Sequence, residues 1–133
     1  MLEISIASDA SQVRADAKLI CEVLFNLLDN AVKYSASGSR ILIAAVPGET
    51  GWTLFRVEDE GSGIPPPMRK EVFQRFFRSA DPHKPVGGLG MGLAIVRGII
   101  DAHGGEIWVE DGPGGRGSAI CFTVPAEAGS HND

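Results

Sequence analysis

The stretch Gly87-Gly88-Leu89-Gly90-Met91-Gly92-Leu93 runs directly into a segment in which Leu93, Ile95, Val96, Ile99 and Ile100 recur at helical spacing. Flexible backbone amides delivered to a helix N-terminus form an anion site, because unpaired N–H groups and the helix dipole both favour negative charge. The spacing matches neither G-x-x-x-x-G-K-[ST] nor G-x-G-x-x-G, so phosphate binding here belongs to an architecture other than the P-loop or the dinucleotide fold. Eleven of the chain's 17 glycines fall between Gly87 and Gly117. The helix is expected from about Gly90 to Ala102, with Gly104 as its stop.

Working outward, 133 residues with 44% hydrophobic and 22% charged content fit one domain and exclude collagen-like and disordered chains. Twelve Lys and Arg against 17 Asp and Glu give a net charge of -5, which argues against an extended nucleic-acid surface. A local basic cluster does exist: Arg69, Lys70, Arg75, Arg78 and Lys84 stand against Glu71 and Asp81. The longest apolar run, Ile41 to Val46, is far shorter than the ~20 residues that span a bilayer. Cys21 and Cys121 lie in apolar segments without metal-type spacing, and both are expected as reduced core thiols.

Leu2, Ile4 and Ile6 alternate with polar residues as in a half-buried strand. Asp16 is the expected N-cap of a helix reaching about Tyr34, ended by the cluster Ser35 to Ser39. Strands are expected at 41–46 and 52–58, a short helix with an aromatic face around Val72, Phe73, Phe76 and Phe77, a loop from Ser79 to Gly88, and strands at 106–110 and 118–124. This order predicts an α/β (α+β) two-layer sandwich, a mixed sheet of about five strands covered by about three helices. The domain is expected over residues 1–125, with 126–133 a disordered tail.

On the first helix, Glu22, Asn26, Asn30 and Lys33 share one narrow polar stripe, while Ile20, Leu24, Leu27, Leu28 and Ala31 form a separate broad face. Two asparagines four apart are unusual on a solvent face, since Asn is a poor helix former. Asn30 offers a neutral oxygen suited to one position on Mg²⁺ whose other ligands are phosphates and waters. Asp59 ends an apolar strand and is followed by Glu60-Gly61-Ser62-Gly63-Ile64-Pro65. An ordinary turn accounts for that arrangement, and so does a carboxylate accepting from an exocyclic amine beside Cβ-free backbone.

Together, four segments resemble the motifs of bacterial sensor histidine kinases. Asn26-Leu27-Leu28-Asp29-Asn30-Ala31-Val32-Lys33-Tyr34-Ser35 resembles their N box, Asp59 to Pro65 their G1 box, Phe73-Gln74-Arg75-Phe76-Phe77-Arg78 their F box, and Gly88 to Leu93 their G2 box. The resemblance implies an ATP-binding catalytic domain of the Bergerat type, shared with gyrase and MutL. It implies that Asp59 binds the adenine amine, that Gly61 and Gly63 pass close to the base and that Tyr34 covers it, with Ile64 and Phe73 in the ATP-contacting set. It further implies that Asn30 holds Mg²⁺ with Asn26 assisting, that Lys33 and Arg78 meet phosphate oxygens, and that Gly88, Leu89, Gly90, Met91, Gly92 and Leu93 cradle the phosphates under a lid at about 79–88. Gly104, Gly105 and the 112–117 glycines are left to caps and turns.

The activity so implied is transfer of the γ-phosphoryl group of Mg-ATP to a histidine on a separate dimerisation and phosphoacceptor domain. A response regulator is the indirect partner, and the setting is the cytoplasmic part of a membrane-associated kinase, with no membrane contact by this segment itself. None of His83, His103 and His131 resembles an H box, and the chain reads as an excised part of a longer kinase. Hydrolysing relatives carry Glu where this chain has Asn26, and an amide cannot act as the base that activates water. The remaining alternatives are a nucleotide-binding regulatory module without transfer activity and an anti-sigma-type serine kinase.

Overall fold

The computed structural model describes residues 2–7, 13, 15–34, 38–61, 66–73 and 92–126. In chain order these form strand β1 (Leu2–Ile6), helix α1 (Ala17–Tyr34), strands β2 (Ile41–Pro47) and β3 (Trp52–Asp59), short 3-10 turns at Pro66–Met68 and Glu71–Phe73, helix α2 (Gly92–Ala102), and strands β4 (Ile107–Asp111) and β5 (Ser118–Pro125). The sheet order is β1-β2-β3-β5-β4. β1 and β2 run parallel, joined through α1 as a parallel pair requires, and the other three pairings are antiparallel. This is the expected mixed five-stranded α/β sandwich. Of the expected helix around Val72, Glu71–Phe73 form the second 3-10 turn; residues 74–77 and the expected loop at 79–88 lie outside the described residues.

Register assigns the faces. Ile43, Val57 and Ile120 stand level across β2, β3 and β5, as do Ala45, Phe55 and Phe122, and these side chains point toward the helices. Phe55 and Phe122 stack with ring centroids 4.9 Å apart. Against this floor pack Val23 and Leu27 of α1 and Val96 and Ile100 of α2, all essentially buried. Each such side chain contributes about 1.5–3 kcal/mol relative to exposure.

Asp16 caps α1 as its sequence position predicts: its Oδ1 accepts from the Leu19 N–H at 3.1 Å. Such a cap is worth about 1 kcal/mol. At the end of α2 the Gly105 N–H reaches the Ile100 carbonyl and the Gly104 N–H reaches that of Asp101, both at 3.0 Å, closing a Schellman motif with His103 as the last residue before the turn. Gly104 has φ +76°, and a Cβ on Gly105 would stand 2.0 Å from the Thr123 carbonyl oxygen, so each glycine is required for its own reason.

Three expectations are corrected. Leu2, Ile4 and Ile6 share the helix-facing side with β2 but are more than half exposed, because α1 lies over β3 and leaves the edge strand uncovered. Cys121 is fully buried, whereas Cys21 is exposed, since the apolar arc of α1 is wider than the arc the core covers; Phe25 and Val32 are exposed for the same reason. Ala126, expected to open the tail, bridges Val13 and donates its N–H to the Gly51 carbonyl at 2.9 Å.

Candidate functional site

Asp59 is the last residue of β3 and alternation turns it toward the helices, where it is 8% exposed. Its Oδ1 accepts the Gly61 N–H at 2.8 Å and its Oδ2 accepts the Ser118 hydroxyl at 3.1 Å. A carboxylate oxygen has two acceptor positions, so one neutral donor on each fixes the orientation of the group and leaves it able to accept again. Ser118 is the register partner of Asp59 across β3 and β5, which is why its hydroxyl arrives there.

The glycine-rich turn between β4 and β5 presses on the same residue. A Cβ on Gly117 would stand 2.0 Å from the Asp59 carbonyl oxygen, and one on Gly112 would stand 2.1 Å from that of Arg116 and 3.0 Å from that of Asp59. These glycines form the expected turn, and they also give the backbone room to close against the candidate base-binding carboxylate. Ser118, Gly112 and Gly117 are the residues that reading the sequence for function misses. The alternation of β5, extrapolated through a paired register, was the signal for Ser118; nothing local marks the other two.

The polar stripe of α1 is present as expected. Asn26 and Asn30 are half-buried, and the Asn26 amide donates to the Glu22 carbonyl at 2.9 Å, which leaves its own oxygen to point elsewhere. Lys33 Nζ sits 2.9 Å from Asp29 Oδ2, an exposed pair of about 0–1 kcal/mol that gives way readily to a stronger anion. Tyr34 ends α1. Phe73 is 6% exposed and packs in the core with Val72, so the structure uses it to seat its turn against α2. Gly92 opens α2, and Leu93 packs half-buried on the core. Gly63, Ile64, Arg78, Gly88, Leu89, Gly90 and Met91, and the segment 79–88 expected as a lid, lie outside the described residues.

On the opposite face of the sheet, where no helix lies among the described residues, a second polar group forms. Arg56 Nε meets Glu58 Oε2 at 2.9 Å and its Nη1 meets Glu110 Oε1 at 2.7 Å, while Trp108 Nε1 donates to Glu110 Oε2 at 2.7 Å. The Trp108 hydrogen bond and then Arg56 hold the Glu110 carboxyl below its usual range. Burial pulls on Arg56, but its bonds to Glu110 and Glu58 outweigh it and the guanidinium is held more firmly protonated. Burial also pushes the Cys121 thiol up to about 11, which keeps it protonated and unreactive.

Among the described residues no cluster of three His, Cys, Asp or Glu side chains could hold a metal ion. A single neutral amide such as Asn30 fits Mg²⁺, which keeps waters and takes phosphate oxygens, better than a metal needing an all-protein cage. No helix among the described residues is long and apolar enough to cross a membrane.

Residues 15–128 match the family described as histidine kinase-, DNA gyrase B-, and HSP90-like ATPase. The adaptive-response sensory kinase SasA of Prochlorococcus marinus subsp. pastoris is 35% identical over 132 residues, covering 99% of this chain and 35% of that protein. The mycobacterial sensor histidine kinase MprB superposes with TM-score 0.78 at 35% identity, covering 93% of this chain and 81% of that one. Full-length ShkA in complex with AMPPNP superposes with TM-score 0.76 at 32% identity, over 93% of this chain and 25% of that one. The chain spans about a third or less of the length of the curated relatives it matches.

Proposed function

The chain belongs to the histidine kinase-, DNA gyrase B- and HSP90-like ATPase family, and on that premise we propose that it passes the γ-phosphoryl group of ATP to a histidine on a separate dimerisation and phosphoacceptor domain. It is a histidine-kinase-type ATP-binding catalytic domain. The observation that carries the reading is Asp59: a buried carboxylate with one neutral donor on each oxygen, aimed at the layer formed by α1 and α2.

In this reading Asp59 accepts the exocyclic amine of adenine, with Ser118 and the Gly61 amide fixing its plane. Gly63 and Ile64 line the base and Tyr34 covers it. Asn30 would hold Mg²⁺, which supplies charge neutralisation at the phosphate oxygens, and Asn26 orients the groups around it. Lys33 exchanges Asp29 for a phosphate oxygen, Arg78 takes another, and residues 88–93 direct backbone N–H groups at the phosphate chain toward the start of α2. Phosphoryl transfer needs chiefly positioning and charge stabilisation, and this donor set supplies both. Asn26 offers no base for water, which favours transfer over hydrolysis. The parent is read as a membrane-associated sensor kinase with a response regulator downstream.

The test is to incubate the domain with its phosphoacceptor domain and γ-labelled ATP. Acid-labile label on a histidine of the acceptor is the expected result. ATP binding without any such label would instead mark a regulatory nucleotide module.

A further inference from the structure

His103 occupies the junction of the two helices that frame the proposed site. Its Nε2 lies 3.1 Å from the backbone N of Asp16, the N-cap of α1, and its Nδ1 lies 2.8 Å from the Ile99 carbonyl oxygen in the last turn of α2. The Asp16 N–H can only donate and the Ile99 carbonyl can only accept, so the two contacts are satisfied together by one form of the ring: neutral, with the proton on Nδ1. An imidazolium would direct an Nε2–H at the Asp16 N–H, and that bond would be lost.

His103 thus sits between the C-terminus of α2 and the N-terminus of α1. Among the described residues, the charged groups of the elements that meet here are Asp16 and Lys18 at the head of α1, Asp101 with its partner Arg97 on α2, and Glu106 before β4. The Asp16 carboxylate is turned onto its own helix at the Leu19 N–H. Elsewhere the α1–α2 seam is apolar, through Val23, Leu27, Val96 and Ile100, and apolar packing resists separation without fixing register. Among the described residues the His103 bond is the directional tie between the two helices.

We propose that neutral His103 is a positioning residue that sets the register of α1 against α2 and thereby makes nucleotide binding by this domain proton-sensitive. The proposal rests on the ATP reading above. α1 carries Asn26, Asn30 and Lys33, and α2 begins at the end of the glycine box, so a slip between them moves the metal and phosphate groups apart.

The test compares the chain with its H103Q variant, whose side chain can accept and donate but cannot titrate, and with H103A. By amide NMR between about pH 8 and pH 5.5, the range in which imidazoles gain a proton, the Asp16 cross-peak of the parent chain should shift through one transition that H103Q lacks. Mg-ATP affinity measured by calorimetry over the same range should fall about fivefold more in the parent chain than in H103Q, and H103A should bind weakly at every pH. Parallel affinity profiles for the parent and H103Q, or an Asp16 amide that titrates identically in both, would overturn the proposal. If the parent chain binds no nucleotide at any pH, the ATP reading falls and the coupling with it, while the amide titration still decides whether the joint exists.

Discussion

Glu58 and Asp59 are adjacent carboxylates on one strand, and alternation sends them to opposite faces of the sheet. On the open face Glu58 meets a guanidinium, and Arg56 goes on to Glu110, which also receives the Trp108 N–H. On the covered face Asp59 is held only by neutral donors among these bonds, an amide and a hydroxyl. A cation satisfies a carboxylate strongly and locks it into structure, whereas neutral donors orient the group and leave its charge to attract a further partner. One face therefore ties β3, β4 and β5 together, and the other is prepared for a ligand. Each substitution below tests whether the two roles separate.

Gly117→Ala should have the largest effect. Its Cβ would enter the Asp59 carbonyl at 2.0 Å in a residue already at φ +70°, combining steric overlap with left-handed strain. A loss of about 3–4 kcal/mol in urea unfolding is expected. Gly114→Ala, at φ +65° with open space around its Cβ, should cost only about 1–2 kcal/mol. Equal losses would mean that the contact on Asp59 does not matter.

Asp59→Ala follows. It should weaken ATP binding about 100-fold or more in calorimetry, because the amine acceptor disappears together with the charge. An unchanged affinity would remove Asp59 from the base site. On the other face, Arg56→Ala should lower stability by about 1–2 kcal/mol and leave ATP affinity as it was, since Glu58 and Glu110 lose their shared cation. The folded pKa of Glu110 is depressed, so its contribution is present above the ordinary carboxyl range and is lost as pH falls through the folded value. The stability gap between Arg56→Ala and the parent chain should therefore narrow below about pH 4. A gap that stays unchanged as the pH falls well below that value would show that the ion network contributes packing alone.

The contrast between the faces was only half legible in the sequence. Strand alternation placed Asp59 at a strand end, the helical polar stripe placed Asn30 on α1, and glycine spacing placed the helix after the glycine box, because those signals are local. The five strands and the two long helices formed where the pattern placed them, within a residue or two at their ends. What escaped depends on pairing between distant segments. Arg56 finds Glu110 and Asp59 finds Ser118 only through the register of three strands, 54 and 59 residues apart in the chain. The uncovered face of β1 and the exposure of Cys21 escaped for a related reason: periodicity shows that a face is apolar, and only packing decides whether anything covers it.

Ser118→Ala should produce the smallest effect and is the sharpest probe of the comparison. Removing the hydroxyl leaves Asp59 Oδ2 without its described donor, while the Gly61 amide still holds Oδ1. If Ser118 serves only the fold, stability should fall by about 1 kcal/mol and ATP affinity should not change. If it orients the carboxylate, affinity should fall about fivefold beyond that stability loss, because Asp59 becomes free to rotate away from the adenine amine. Ser118→Thr retains the hydroxyl and adds a methyl group on β5, where β-branched residues fit, so it should restore affinity. Weakened binding in Ser118→Ala with recovery in Ser118→Thr would show that the covered face orients its carboxylate with a neutral donor.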